Sequence, residues 1–109
     1  MAQEVINMTP HPITICDDAG NILRKIMPCG RWIRLSRITV SAGFDVDGIP
    51  VTKTTFGYPI GLPPYEEGVY YVVSQLVKNT LTDRQDLLVP AETVRDERGR
   101  IIGCRSLGI

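Results

Sequence analysis

Apolar and polar residues alternate along most of this chain, and a period of two predicts strands rather than helices. Val5-Ile6 and Ile13-Thr14-Ile15 are short strand candidates, and Asp17-Asp18-Ala19-Gly20-Asn21 is a turn cluster leading into Ile22-Leu23-Arg24-Lys25-Ile26. These segments predict a first hairpin. Trp32-Ile33-Arg34-Leu35 and Arg37-Ile38-Thr39-Val40 carry the same alternation, and Asp47-Gly48 forms a hairpin turn between Phe44-Asp45-Val46 and Ile49-Pro50-Val51. The run from Val51 to Ile60 is expected to continue the sheet.

Gly61-Leu62-Pro63-Pro64 must be irregular, because each proline fixes its φ and lacks an N–H. Beyond it, Gly68-Val69-Tyr70-Tyr71-Val72-Val73 is the richest stretch in aromatic and β-branched residues, and predicts the central strand. Ser74 supplies an N-cap oxygen to a short helix over 75–81, with apolar side chains at Leu76, Val77 and Leu81. The pattern ends in Val94-Arg95-Asp96-Glu97-Arg98-Gly99-Arg100-Ile101-Ile102-Gly103-Cys104-Arg105, an Asp-x-x-Gly turn between two apolar strands. The expected fold is one domain spanning residues 1–109. It is mainly β (α+β), a small antiparallel sheet or barrel-like structure with one short helix.

Composition narrows the function classes. The 109 residues suffice for one modest core, and 43% hydrophobic with 22% charged residues is ordinary for a globular chain. Twelve basic and twelve acidic side chains cancel, which disfavours nonspecific binding to DNA or RNA. Cys16, Cys29 and Cys104 fit neither a zinc motif nor a disulfide framework, and read as reduced thiols. The start, Met1-Ala2-Gln3-Glu4-Val5-Ile6, lacks the pattern of a secretion signal, and no segment has the ~18 apolar residues of a membrane span. A cytoplasmic protein without membrane contact is expected.

Candidate chemistry points to binding. No phosphate-cradling glycine loop, metal-ligand spacing or paired carboxylates are found, so neither a metal nor a cofactor is expected. Cys104 adjoins Arg105, but no general base is evident from the spacing, so an enzyme is not expected. Arginine presents a planar fork of donors that suits phosphate and keeps its charge at every physiological pH. Arg84, Arg95 and Arg105 are the candidate anion ligands, with Asp96 orienting an arginine or accepting from a ribose hydroxyl. Arg84 either forms an ion-paired loop with Asp86 or, separated from Arg95 by a short strand and a Pro90-Ala91 turn, converges with it on one anion. Phe56, Tyr58, Tyr70 and Tyr71 offer surfaces on which a base stacks. Asn7, Thr9 and His11 add polar contacts, with His11 held extended between Pro10 and Pro12. The competing reading makes the arginines solubility charges and has Asn7 and Thr9 close turns through their own side chains.

Asn-x-Thr-Pro-His at 7–11, Tyr-x-Val-Ser at 71–74, Arg-x-Asp-Leu-Leu-x-Pro at 84–90 and Val-Arg-Asp-x-x-Gly-x-Ile-x-Gly-Cys-Arg at 94–105 resemble small uncharacterised proteins of bacteriophages and prophages. The resemblance covers nearly the whole chain. Phage proteins of this size include anti-defence sponges, which sequester nucleotide messengers of immune systems such as Thoeris and CBASS. No sponge's binding motif matches here residue by residue. By size, likeness and arginine-plus-aromatic content, the expectation is a homo-oligomer in the host bacterial cytoplasm that binds a phosphorylated cyclic nucleotide or ADP-ribose derivative. A phage structural or protein-interaction module is the alternative.

Overall fold

A computed structural model describes residues 3–31 and 33–109; Trp32 and the first two residues of the expected N-terminal reading, Met1 and Ala2, lie outside the described residues. The protein is mainly β with one short helix. Its elements are β1 (Glu4–Asn7), β2 (Ile13–Cys16), β3 (Ile22–Ile26), β4 (Arg37–Val46), β5 (Ile49–Phe56), β6 (Val69–Val72), α1 (Gln75–Thr80), β7 (Leu87–Arg95) and β8 (Ile101–Gly108). No helix among the described residues is long and apolar enough to cross a membrane.

Six strands form one sheet in the order β1-β6-β7-β8-β2-β3. Pairing is antiparallel for β2–β3 and β7–β8, and parallel for β1–β6, β6–β7 and β2–β8. β6, the aromatic and β-branched segment, is hydrogen-bonded on both sides, as expected of an interior strand. The sheet curls until its outer strands meet: the N–H of Cys29, just past β3, donates to the carbonyl of Asn7 at 3.0 Å, and Asn7 bridges Pro28. The result is barrel-like.

Two small cores follow from the strand alternation, because neighbouring residues of a strand face opposite sides. Val72, Ile13, Ile26 and Cys104 form one, with Val5, Ile15, Leu88 and Leu107 packed against them. Met8, Tyr71, Val73 and Leu87 form the other, covered by Val77 of α1 and by Leu81. The helix begins where Ser74 Oγ accepts from the N–H of Val77 at 3.2 Å, as its sequence predicts.

Two expectations change. The segment 37–56 does not continue the sheet; it forms a separate two-stranded hairpin. Its Asp47-Gly48 turn has φ of 51° and 76°, the paired positive angles of a type I′ turn, which match the twist of the flanking strands. Around Trp32-Ile33-Arg34-Leu35, the described residues contribute an isolated bridge from Arg34 to Ile60 and no strand.

Candidate functional site

The two ends of the sheet are closed by the same turn chemistry. In the β7–β8 turn, Asp96 Oδ1 accepts from the N–H groups of Arg98 and Arg100, both at 2.9 Å, and Gly99 takes φ 79°. In the β2–β3 turn, Asp17 Oδ1 accepts from Ala19 and Asn21, both at 2.9 Å, and Gly20 takes φ 85°. An aspartate at the first position caps the turn through its own side chain, and the glycine supplies the left-handed residue. The N–H bonds of Arg100 and Asn21 respectively hold the Asp96 and Asp17 carboxyls below their ordinary range. Asp96 is thus a turn former, and its second oxygen meets Arg100 Nε at 3.2 Å.

Two of the expected arginines reach these turns from β7 and β8, one at each end of the sheet. Arg95 is exposed, and one of its terminal nitrogens donates to the Gly99 carbonyl at 2.7 Å. Arg105 reaches Asp18 of the β2–β3 turn at 3.6 Å, with the aspartate side chain 97% exposed. Both guanidinium groups retain unused donors. Over β2, β7 and β8 lies an apolar depression of about 190 Å³, lined by residues that include Pro12, Thr14, Thr93, Ile101 and Ile102 but by neither arginine. Arg95 is the register partner of Ile101, and His11 directly precedes Pro12.

Arg84 is elsewhere and is engaged. Its Nε and Nη2 donate to the two carboxylate oxygens of Asp86 at 2.8 and 2.7 Å, and Nη2 also donates to the Pro63 carbonyl at 3.0 Å. Asp86 is 1% exposed. The pair holds the Asp86 carboxyl low and the Arg84 guanidinium high, in each case chiefly through their shared hydrogen bonds. The expected convergence of Arg84 with Arg95 does not occur. Pro90-Ala91 is no turn: both residues lie inside β7, pairing with Leu107 and Ser106. Proline is tolerated there because β6 pairs with β7 only at Leu87 and Leu88, leaving the edge beyond it open. Arg84 and Arg95 therefore sit beyond and at opposite ends of a nine-residue strand, roughly 26 Å long at ~3.3 Å per residue.

Asn7, Thr9 and His11 are brought together, but by one another. The Asn7 amide nitrogen donates to the carbonyls of His11 at 2.8 Å and Ile26 at 3.0 Å, and Asn7 Oδ1 accepts from the N–H of Thr9 at 2.9 Å and its hydroxyl at 2.6 Å. The polar side chains of Asn7 and Thr9 are occupied within the fold, while the His11 residue is exposed. Among the aromatics, Tyr71 is a core residue and cannot stack on a ligand, whereas Tyr58 is 75% exposed. Phe56 lies at the foot of the hairpin, with Arg37 over its ring at 5.7 Å.

The thiols divide by burial. Cys16 and Cys104 are buried, and desolvation pushes the Cys104 thiol up, away from the thiolate a nucleophile needs. Cys29 is exposed and donates to the carbonyl of Arg31 at 3.3 Å.

Two further residues, Asp18 and Glu92, carry the arrangement without a clear sequence signal. Asp18 is the charge partner of Arg105 across strands. Asp86 takes the ion-pair role with Arg84 that the sequence offers it, buried rather than at the surface. Glu92 takes φ 52°, a left-handed conformation rare for L side chains, and its carboxylate accepts from the Ser106 hydroxyl at 2.8 Å. The chain matches no protein-family model, no curated protein and no solved structure.

Proposed function

We propose that this protein is a non-catalytic binding protein that sequesters a phosphorylated, nucleotide-derived signal in a bacterial cytoplasm, the role sponges play against Thoeris or CBASS messengers. The observation that carries this reading is the state of Arg95 and Arg105: each makes one contact, to Gly99 and to Asp18, and keeps donors for an anion. The Arg105–Asp18 contact is exposed and loose, so an incoming phosphate displaces Asp18 at small cost. The apolar depression lined by Ile101, the register partner of Arg95, offers a surface for a base. Its ~190 Å³ falls short of the roughly 300–1,000 Å³ of a drug-sized ligand site, so a second copy of the chain completes the enclosure.

In this reading Arg95 and Arg105, four β8 residues apart and turned to opposite ends of the sheet, each hold a separate anionic group of the ligand, and His11 lies at the rim. Asn7, Thr9, Asp96 and Arg84 hold the scaffold. No metal, cofactor, DNA, RNA or membrane takes part. The raised Cys104 thiol supports binding over chemistry. The test is to purify the full chain from cells producing such messengers, release bound small molecules by heating, and identify them by mass spectrometry. An intact nucleotide supports sequestration, and a cleaved one overturns the non-catalytic reading.

One observation favours the alternative, a phage structural or protein-interaction module: the exposed β4–β5 hairpin is a contact surface on its own. An empty protein in the heating experiment, together with a stable protein partner, would make that the better account.

A further inference from the structure

The β4–β5 hairpin belongs to neither core. Every residue of β4 is exposed, and so is every residue of β5 except the half-buried Val51. Its register assigns side chains to faces, because residues paired across an antiparallel ladder share a face and successive residues alternate. Ile38 pairs with Thr55, Val40 with Lys53 and Val46 with Ile49. One face therefore carries Ile38, Val40, Val46, Ile49 and Val51 with Lys53 and Thr55 among them, and the other carries Thr39, Ser41, Thr52 and Thr54 with Arg37, Asp45, Pro50 and Phe56. On the first, Ile38 is 56%, Val40 52%, Val46 55% and Ile49 64% exposed. Thr39 and Thr54 hydroxyls lie 3.3 Å apart on the polar face, which suits water.

A two-stranded ribbon standing alone is marginal in water, and a row of β-branched residues along one face adds an uncovered apolar surface. The amount of surplus surface says what covers it. The chain exposes 7918 Å², against about 6,000 Å² for a compact monomer of 12.1 kDa. Its radius of gyration is 17.4 Å, where about 13 Å is expected of a compact chain of this length. The surplus of roughly 1,900 Å² matches the share that one subunit buries in an obligate homodimer, whose interfaces run from about 2,000 to 5,000 Å² in total. The formal net charge is zero, so two copies carry no net mutual repulsion.

We infer that the β4–β5 hairpin is an assembly arm whose apolar face, Ile38, Val40, Val46, Ile49 and Val51, packs on a second copy of this chain. The contact is isologous, each copy receiving the other's arm across a two-fold axis. Contact through the arm, rather than through β1 or β3, agrees with the way Asn7 and Cys29 already join those two strands. The inference deepens the self-association in the proposed function by naming its surface.

The experiment is light scattering coupled to size exclusion on the full chain at micromolar concentration, for wild type, Ile49→Lys near the arm's tip, and the double variant Ile38→Glu/Ile49→Glu. Wild type is expected to run at twice the chain mass or a multiple of it, and the double variant at the chain mass, both with the same far-ultraviolet circular dichroism. Ile49→Lys is expected to weaken the dimer at least tenfold. A monomeric wild type overturns the inference, as does an oligomer that both variants leave intact. Unfolding of the body by either variant also overturns it, because the arm would then belong to the chain's own core. Nucleotide bound to a monomer would sink this inference and the two-copy enclosure while leaving the ligand reading, and an arm-dependent dimer that binds no nucleotide would sink the ligand reading alone.

Discussion

The side-chain amide of Asn7 donates to the carbonyl of Ile26 at 3.0 Å, and so ties the last residue of β1 to the last residue of β3, the two outermost strands of the sheet. Asn7 is 1% exposed and its side chain makes bonds in both its donor and acceptor roles. It replaces the ladder that two well-aligned edges would have formed. Asn7→Asp keeps the shape but removes both N–H donors, leaving the carbonyls of His11 and Ile26 facing a carboxylate. The Thr9 hydroxyl still reaches the His11 carbonyl at 3.0 Å, so the expected loss is about 1–3 kcal/mol for the Ile26 carbonyl left unpaired, read as a lower urea midpoint. A variant of unchanged stability that loses ligand would instead make Asn7 a binding residue.

The Arg84–Asp86 pair sets a dependence on acid. Arg84's hydrogen bonds depress the folded-state carboxyl of Asp86, with burial opposing them. Its stabilisation is therefore fully present above the unfolded carboxyl value of about 3.9 and is lost as pH falls through the lower folded value. Wild type is expected to lose stability steeply below about pH 4, and Asp86→Asn to be less stable at pH 7 with a shallower slope in acid. Arg84→Ala leaves the carboxylate buried and unpaired, at a cost of about 3–5 kcal/mol. Thermal melts across pH check both variants.

Hairpins and the helix were legible because their chemistry is local. Asp17 and Gly20, Asp96 and Gly99, Asp47 and Gly48, and Ser74 each specify a turn or a cap within five residues. Alternation announces a strand but not its sheet, which is why residues 37–56 read as part of the body and stand apart from it. The parallel pairings of β1 with β6 and β2 with β8 join segments more than 60 residues apart, and nothing local encodes them. The arginine set misled in part for the same reason. Pro90 suggested a turn, yet an open strand edge accepts proline, and that one residue put Arg84 and Arg95 at opposite ends of β7 instead of side by side.

Gly103 marks where β8 comes closest to β2. A Cβ there would sit 2.7 Å from the carbonyl oxygen of Thr14 and 2.8 Å from the Cys16 sulfur. Neither neighbour yields easily, since one is backbone and the other is a buried side chain. Gly103→Ala is expected to cost about 1–3 kcal/mol through overpacking, whereas Cys16→Ala in the same background should recover part of the loss. Denaturant titration of the single and double variants measures the coupling. Additive losses would mean that the strain falls on the backbone of Thr14 alone.

Arg95 and Arg105 separate binding from folding. Among the described residues Arg105 has only the exposed Asp18 contact, worth about 0–1 kcal/mol, and Arg95 bonds a turn carbonyl that water also satisfies. Replacing either with Ala is expected to leave the melting temperature nearly unchanged. If each holds an anionic group of the messenger, each replacement weakens binding of the messenger recovered from the purified protein by roughly 1.5–3 kcal/mol, about 10- to 150-fold. Asp18→Asn should act in the opposite direction, because it frees Arg105 from its competitor without touching the ligand. Calorimetric titration of the three variants, each checked by circular dichroism, tests the set. Unaltered affinity in Arg95→Ala and Arg105→Ala would remove both arginines from the site, and loss of fold in either would make it structural.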